Sequence, residues 1–211
     1  MKVNNLNIDD KKLVNGYYFP IDTDKNWLKN VIKEIWEDNE YERFGVEIKK
    51  GDTVLDLGAY VGVFSNYAIS KKAHHVYAFE STKHYYECLL LNTITTPKIT
   101  NIRGVISDRS DEYYDDTKNY NFNKIFKEFN LGKVDFCKMD IEGFEYPLLI
   151  NSNINEIQKI NQFAIEVHNI YAHHKIYEII EMFSKCDYTV NFEIIHKDWN
   201  LGMIYAKNKN I

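Results

Sequence analysis

The chain has 211 residues, 45% of them hydrophobic, with 26 basic and 31 acidic side chains and a formal charge of −5. This is long enough for one domain with a full core. The acidic balance leaves no global positive field to draw the protein to nucleic acid or to an anionic membrane. The first twenty residues hold no long apolar run, and no later stretch approaches the roughly 20 apolar residues of a membrane span. No signal peptide or membrane partner is therefore expected, and a cytoplasmic location is. Cys88, Cys137 and Cys186 are odd in number and widely spaced, which suits free core thiols better than a disulfide framework or a zinc knuckle. Nothing in the pattern speaks to oligomeric state.

In chain order, residues 1–45 read as an N-terminal helical extension packed on a core, and 46–211 as a single domain. Trp27, Leu28, Val31, Ile32, Ile35 and Trp36 form the i, i+4 double stripe of an amphipathic helix over 24–37, with Asp24 or Thr23 as its N-cap. From residue 53 strands and helices alternate. Strands are expected near 53–57, 75–79, 101–106, 134–139 and 162–168, with helices over 62–72, 82–93, 144–157 and 173–185. Such alternation predicts parallel βαβ units covered by helices on both faces. The polar segment 108–123 is expected as a solvated loop, with a lid using Tyr113, Tyr114 or Tyr120 as the alternative. Strand-like stretches 188–195 and 201–206 lie too close for a helical crossover and predict an antiparallel hairpin. The expected fold is α/β and Rossmann-like, five parallel strands plus a C-terminal antiparallel hairpin.

The most informative stretch is TVLDLGAYVG, residues 53–62. Val54, Leu55 and Leu57 suit a strand buried on both sides. Gly58 allows a sharp turn with no side chain between backbone and ligand, and Gly62 allows the next helix to pack close against the strand. Dinucleotide sites carry G-x-G-x-x-G at this turn; here the pattern is D-x-G-x-x-x-G, with Asp56 at the strand end. A carboxylate there repels phosphates and favours a positively charged ligand, a description that fits S-adenosylmethionine.

In open α/β sheets, ligands bind beyond the carboxyl ends of the strands, and those ends supply the remaining candidates. Glu80 follows Asp56 by 24 residues, a spacing at which an acid accepts hydrogen bonds from ribose hydroxyls. Ile106 is placed to pack on an adenine face, and Ser107 or Asp108 to reach its edge, although turn chemistry explains Ser-Asp equally well. The fourth strand ends in Asp140, Glu142 and Glu145, of which Glu145 suits a first helical turn. On the fifth, Glu166 and His168 share a face. In parallel register Lys138 is expected to neutralise Glu166 while Asp140 approaches His168. That makes His168 the expected general base, oriented by Asp140, with Glu142 next in line. No close His/Cys/Asp spacing supports a metal, so none is expected. His173-His174 reads as surface or capping.

GDTVLDLGAYVGVFS, then AFES, then VDFCKMDIEGFEYPLL together resemble the FkbM family of S-adenosylmethionine-dependent methyltransferases over about residues 40–170. The resemblance implies a class I methyltransferase fold and O-methylation of a hydroxyl on a sugar, glycan or small metabolite. It also implies a cofactor lined by Asp56, Gly58, Ala59, Gly62 and Glu80, with Asp140, Glu142 and Glu145 as the family's acidic segment; Tyr60, Ser81 and Asp140 beside them are further candidate cofactor contacts. Tyr60 departs from the family's usual asparagine; its bulk either narrows the mouth at the cofactor's amino-acid end or faces outward. The acceptor site is expected from the N-terminal helix, segment 108–123 and the last hairpin. Two other readings stand beside this one. A nicotinamide-dependent oxidoreductase is disfavoured by the D-x-G-x-x-x-G turn, and a non-catalytic module that kept the fold is disfavoured by the intact acids and His168.

Overall fold

The computed structural model describes residues 8–109, 113–114, 117–168 and 175–211; the His173-His174 pair falls outside them. The chain opens with a hairpin, β1 (Lys11–Val14) and β2 (Tyr17–Pro20), followed by α1 (Lys25–Trp36). The hairpin was not among the expected elements. Its signal is Asn15-Gly16, with φ of 49° and 86°, the pairing that two-residue turns favour. Asp24 caps α1, accepting from the amides of Asn26 at 2.8 Å and Trp27 at 3.1 Å.

The alternating elements follow: β3 (Thr53–Leu57), α2 (Val63–Ser70), β4 (His75–Glu80), α3 (Lys83–Thr93) and β5 (Ile99–Ile106). Segment 108–123 is not a plain loop. It contains β6 (Tyr113–Tyr114) and β7 (Thr117–Tyr120), then the start of α4 (Phe122–Glu128). Next come β8 (Phe136–Met139), α5 (Glu145–Asn151), α6 (Ile154–Ile157), β9 (Gln162–Val167), α7 (Lys175–Lys185), β10 (Tyr188–His196) and β11 (Leu201–Asn208). The single helix expected over 144–157 is split at Ser152-Asn153, where Asn153 caps α6 by accepting from the Asn155 amide.

The main sheet runs β10-β11-β9-β8-β3-β4-β5-β7-β6. Its centre, from β9 to β5, is parallel, as expected. The C-terminal hairpin adds antiparallel with β11 against β9 and β10 outermost. Beyond the expected five strands, β7 adds parallel to β5 and β6 antiparallel to β7. Period-two alternation sends Leu55, Leu57, Phe163 and Ile165 to a core under α4–α7, while Val54 and Ala164 face a second core under α1–α3. Cys88, Cys137 and Cys186 are buried free thiols. Among the described residues no helix is long and apolar enough to cross a membrane.

Strand order reverses between β3 and β8: from β3 the chain moves outward to β4 and β5, then returns on the far side as β8. A crevice at such a reversal is where doubly wound sheets bind ligands.

Candidate active site

A cavity of about 1010 Å³ opens over the carboxyl ends of β3, β4, β8 and β9 and is closed on the far side by α1 and the β10–β11 hairpin. Its inner wall begins at the β3–α2 turn, where the amides of Gly58 and Ala59 both donate to the Phe79 carbonyl, at 3.0 and 2.8 Å. The Tyr60 amide donates to one Glu80 oxygen at 2.9 Å and the Thr82 amide to the other at 2.7 Å. Glu80 thus ties the turn to the end of β4. Burial pushes its carboxyl up to about 6 against those two amide bonds. The Thr82 hydroxyl also bonds this carboxylate, which leaves one of its roughly four acceptor positions for a ligand hydroxyl. Tyr60 sits at φ 51°, and its ring packs against Tyr85 at 4.5 Å and Phe19 at 6.2 Å. It lines the cavity with Ser81 and with the buried Ile106.

Other expected residues have different work. Asp56 is wholly enclosed; it accepts from the Ser65 hydroxyl at 2.6 Å and faces Lys138 at 3.6 Å. Its carboxylate is therefore a structural anchor under the turn and does not face a ligand. Gly58 is needed because a Cβ there would lie 1.7 Å from the Asp140 carbonyl oxygen, and Gly62 because a Cβ would lie 2.7 Å from Leu89 of α3. The first glycine makes room for a backbone and the second for a helix, not a strand. Ser107 is buried in a turn: its amide donates to the Tyr120 carbonyl and its hydroxyl accepts from the Arg109 amide. Asp108 accepts from Asn151. Among the described residues none of 108–123 lines the cavity.

At the other end of the cavity the register pairs Lys138 with Ala164, which sets Asp140 level with Glu166. Lys138 acts on Glu166 only at longer range and makes no contact ion pair with it among the described residues. It donates to the Gly58 carbonyl at 2.6 Å and lies 3.5 Å from Asp140 and 3.6 Å from Asp56. Glu166 instead accepts from the Tyr41 hydroxyl at 3.2 Å. His168 is oriented by Glu145 rather than Asp140: Nδ1 lies 3.3 Å from Glu145 Oε1, an oxygen that also accepts from the Ile141 amide. Nε2 lies 3.4 Å from Glu142, 3.8 Å from Glu166 and 4.0 Å from Asp140. Burial works to lower this ring's pKa, but Glu145, Asp140 and Glu166 outweigh it and raise it. A ring poised near neutrality was expected; these carboxylates shift its pKa upward. Asp140, Glu166 and His168 also bring three metal-binding atoms within 4.8 Å of one another, a grouping that strand neighbours β8 and β9 create and linear spacing hides.

The outer wall comes from the N-terminal helix and the last hairpin, two of the three segments expected to shape the acceptor site, with Trp27 drawn from the stripe expected to pack. Trp27 of α1 is 48% exposed and faces Trp199, 56% exposed, at a ring distance of 6.4 Å; His196 stacks on Trp199 at 4.3 Å. Glu34, Asp38, Glu40 and Glu193 line the same space, with Arg43 bound to Glu193 at 2.6 Å. Burial and the neighbouring Glu34 push Glu40 up to about 7.

Residues 96–190 match the family model of the methyltransferase FkbM domain, in agreement with the motif resemblance. Among solved structures, methyltransferase FkbM from Methylobacillus flagellatus KT superposes with a TM-score of 0.60 at 20% identity, over 78% of this chain and 46% of that one. Fibrillarin from Aeropyrum pernix, crystallised with natively bound S-adenosyl-L-methionine, gives 0.57 at 12% identity over 98% and 84%. TrmK from M. capricolum, in complex with S-adenosyl-homocysteine, gives 0.54 at 16% identity over 82% and 67%. The fold is that of the class I methyltransferases. The chain spans less than half the length of the Methylobacillus protein. No curated protein sequence matches it.

Proposed function

From that fold, we propose that the chain is an S-adenosylmethionine-dependent methyltransferase acting on a hydroxyl of a sugar, glycan or small metabolite. The observation that carries the reading is the cavity at the strand-order reversal, with a ribose-type acceptor, Glu80, at one end and an acid cluster at the other. Ile106 supplies apolar wall for a purine, and Glu80 keeps an acceptor position for a ribose hydroxyl. Asp140 and Glu142 supply negative charge for the ammonium and sulfonium. When bound, S-adenosylmethionine supplies the electrophilic methyl group. The chain contributes orientation and charge, and in-line positioning alone lowers a barrier substantially.

The acceptor follows from the outer wall. Exposed indoles beside carboxylates suit an acceptor with apolar faces and hydroxyl groups, as in a sugar ring. A phosphodiester chain would meet Glu34, Asp38, Glu40 and Glu193 in the same space, an arrangement that repels it. RNA as acceptor is therefore disfavoured here, as is the pyrophosphate of a nicotinamide cofactor. Thermal unfolding with adenosylhomocysteine, NAD or no ligand tests the reading, because a ligand of the native state raises the midpoint by mass action. Adenosylhomocysteine is expected to raise it and NAD to leave it unchanged. The reverse result selects the oxidoreductase. Stabilisation without methyl transfer, in a screen of hydroxylated sugars and metabolites, selects a non-catalytic module.

Glu80→Ala is expected to weaken adenosylhomocysteine binding by about 1–3 kcal/mol, the worth of a hydrogen bond to a charged acceptor. Ribose hydroxyls donate best to the ionised carboxylate. Wild-type affinity should therefore rise with pH around a midpoint of about 6, a rise the variant lacks. Calorimetry between pH 5 and pH 7.5 checks both; equal affinities would remove Glu80 from the ligand.

A further inference from the structure

We propose that Asp140, Glu166 and His168 form a binding site for a divalent first-row metal ion at the carboxyl ends of β8 and β9. One atom from each residue lies within 4.8 Å of the other two. Two ligands at roughly 2.1 Å from an ion are separated by at most about 4.2 Å. His168 Nε2 is already 3.8 Å from Glu166 Oε1 and 4.0 Å from Asp140 Oδ1, so small side-chain rotations close the set.

The outer partners carry the inference further than the three ligand types do. Each ligand is held through its far atom, which leaves its near atom directed at the common point. Lys138 takes Asp140 Oδ2 at 3.5 Å. Tyr41 donates to Glu166 Oε2 at 3.2 Å. Glu145 faces His168 Nδ1 at 3.3 Å. Metal-bound histidines characteristically donate their other ring nitrogen to a carboxylate, and ligating carboxylates are themselves hydrogen-bonded. Glu145 is wholly buried and its Oε2 finds no partner, so its Oε1 alone fixes the orientation of the imidazole. Lys138, which faces Asp140, is shared with Asp56 and the Gly58 carbonyl, leaving Glu166 without a contacting lysine or arginine among the described residues.

Two carboxylates and one imidazole suit manganese, iron, cobalt or zinc better than calcium or a soft monovalent ion. Three protein ligands leave coordination positions open toward the cavity, as in catalytic rather than structural sites. An ion there would polarise an acceptor oxygen; that role rests on the methyltransferase reading, whereas the site itself does not.

The test uses the full chain, stripped with EDTA and dialysed, then titrated with MnCl2 by electron paramagnetic resonance and with ZnCl2 by calorimetry. One ion per chain is expected, with Glu166→Gln and His168→Ala each weakening binding at least tenfold. Tyr41→Phe, which leaves all three ligands in place, should weaken it roughly 10–100-fold. Circular dichroism of each variant separates lost binding from lost folding. Failure of both metals to bind stoichiometrically would overturn the site, as would binding that both ligand variants leave unchanged. Adenosylhomocysteine stabilisation measured on the same stripped protein keeps the two readings apart, because it survives if only the metal site is wrong.

Discussion

Lys138→Met is expected to lower unfolding free energy by about 3–5 kcal/mol, the usual result of breaking a buried ion pair by removing one partner. Lys138 is 3% exposed and stands over Asp56, which is 0% exposed. Burial pushes the Asp56 carboxyl up even beside this lysine, while the acids around Lys138 raise its own pKa despite burial. The two directions agree on one point: Asp56 depends on Lys138 more than Lys138 depends on Asp56, because the lysine also faces Asp140 and the Gly58 carbonyl. Methionine keeps the stem's volume and removes the charge, so the loss is electrostatic rather than a cavity. Urea unfolding checks this, with Asp56→Asn/Lys138→Met as the second arm. The double variant should recover part of the loss, since the fully buried Asp56 carboxylate is no longer left uncompensated. Equal stability of wild type and Lys138→Met would show that the pair contributes nothing to the fold.

The parallel strands were legible because burial on both faces writes a nearly continuous apolar run, as in Val54–Leu57 and Phe163–Val167. The last hairpin was legible because five residues cannot hold a crossover. Strands β6 and β7 were not, since YY and TKNY lack apolar alternation; β7 owes its pairing to β5 and β6 to β7. Helix α4 buries Phe122, Ile125 and Phe126, an i, i+3, i+4 pattern that straddles the end of the segment read as polar and is too short to stand out as a helix. At the site, residue types were readable and partners were not. Asp56 stands at the expected strand end, but period two sends its side chain down onto Ser65 and Lys138. Glu145 looked like a first-turn acid and is the residue that orients His168. Tyr41 and Glu166 are 125 positions apart, and only the packing of the segment after α1 against β9 joins them.

Gly58→Ala is expected to cost roughly 4 kcal/mol or more, or to prevent folding. Part of the cost is conformational: φ is 80°, and a left-handed backbone costs a residue with a Cβ about 1–2 kcal/mol. The larger part is steric. The added Cβ would lie 1.7 Å from the Asp140 carbonyl oxygen and 2.8 Å from its carbon, both backbone atoms. Neither strand can retreat cheaply, because Asp140 donates to the Leu57 carbonyl at 3.0 Å and Gly58 and Ala59 are bound to Phe79. Gly51→Ala separates the two contributions: its φ is 96° with nothing within 4 Å of the added Cβ, so it should show the conformational cost alone. The pair is compared by urea unfolding, with soluble yield as the reading if Gly58→Ala does not fold. A clash at Gly58 predicts a difference of several kcal/mol, or folding of Gly51→Ala alone. Matched stabilities would mean that β3 and β8 separate freely at their carboxyl ends, and the cavity built on their contact would lose its rigid floor.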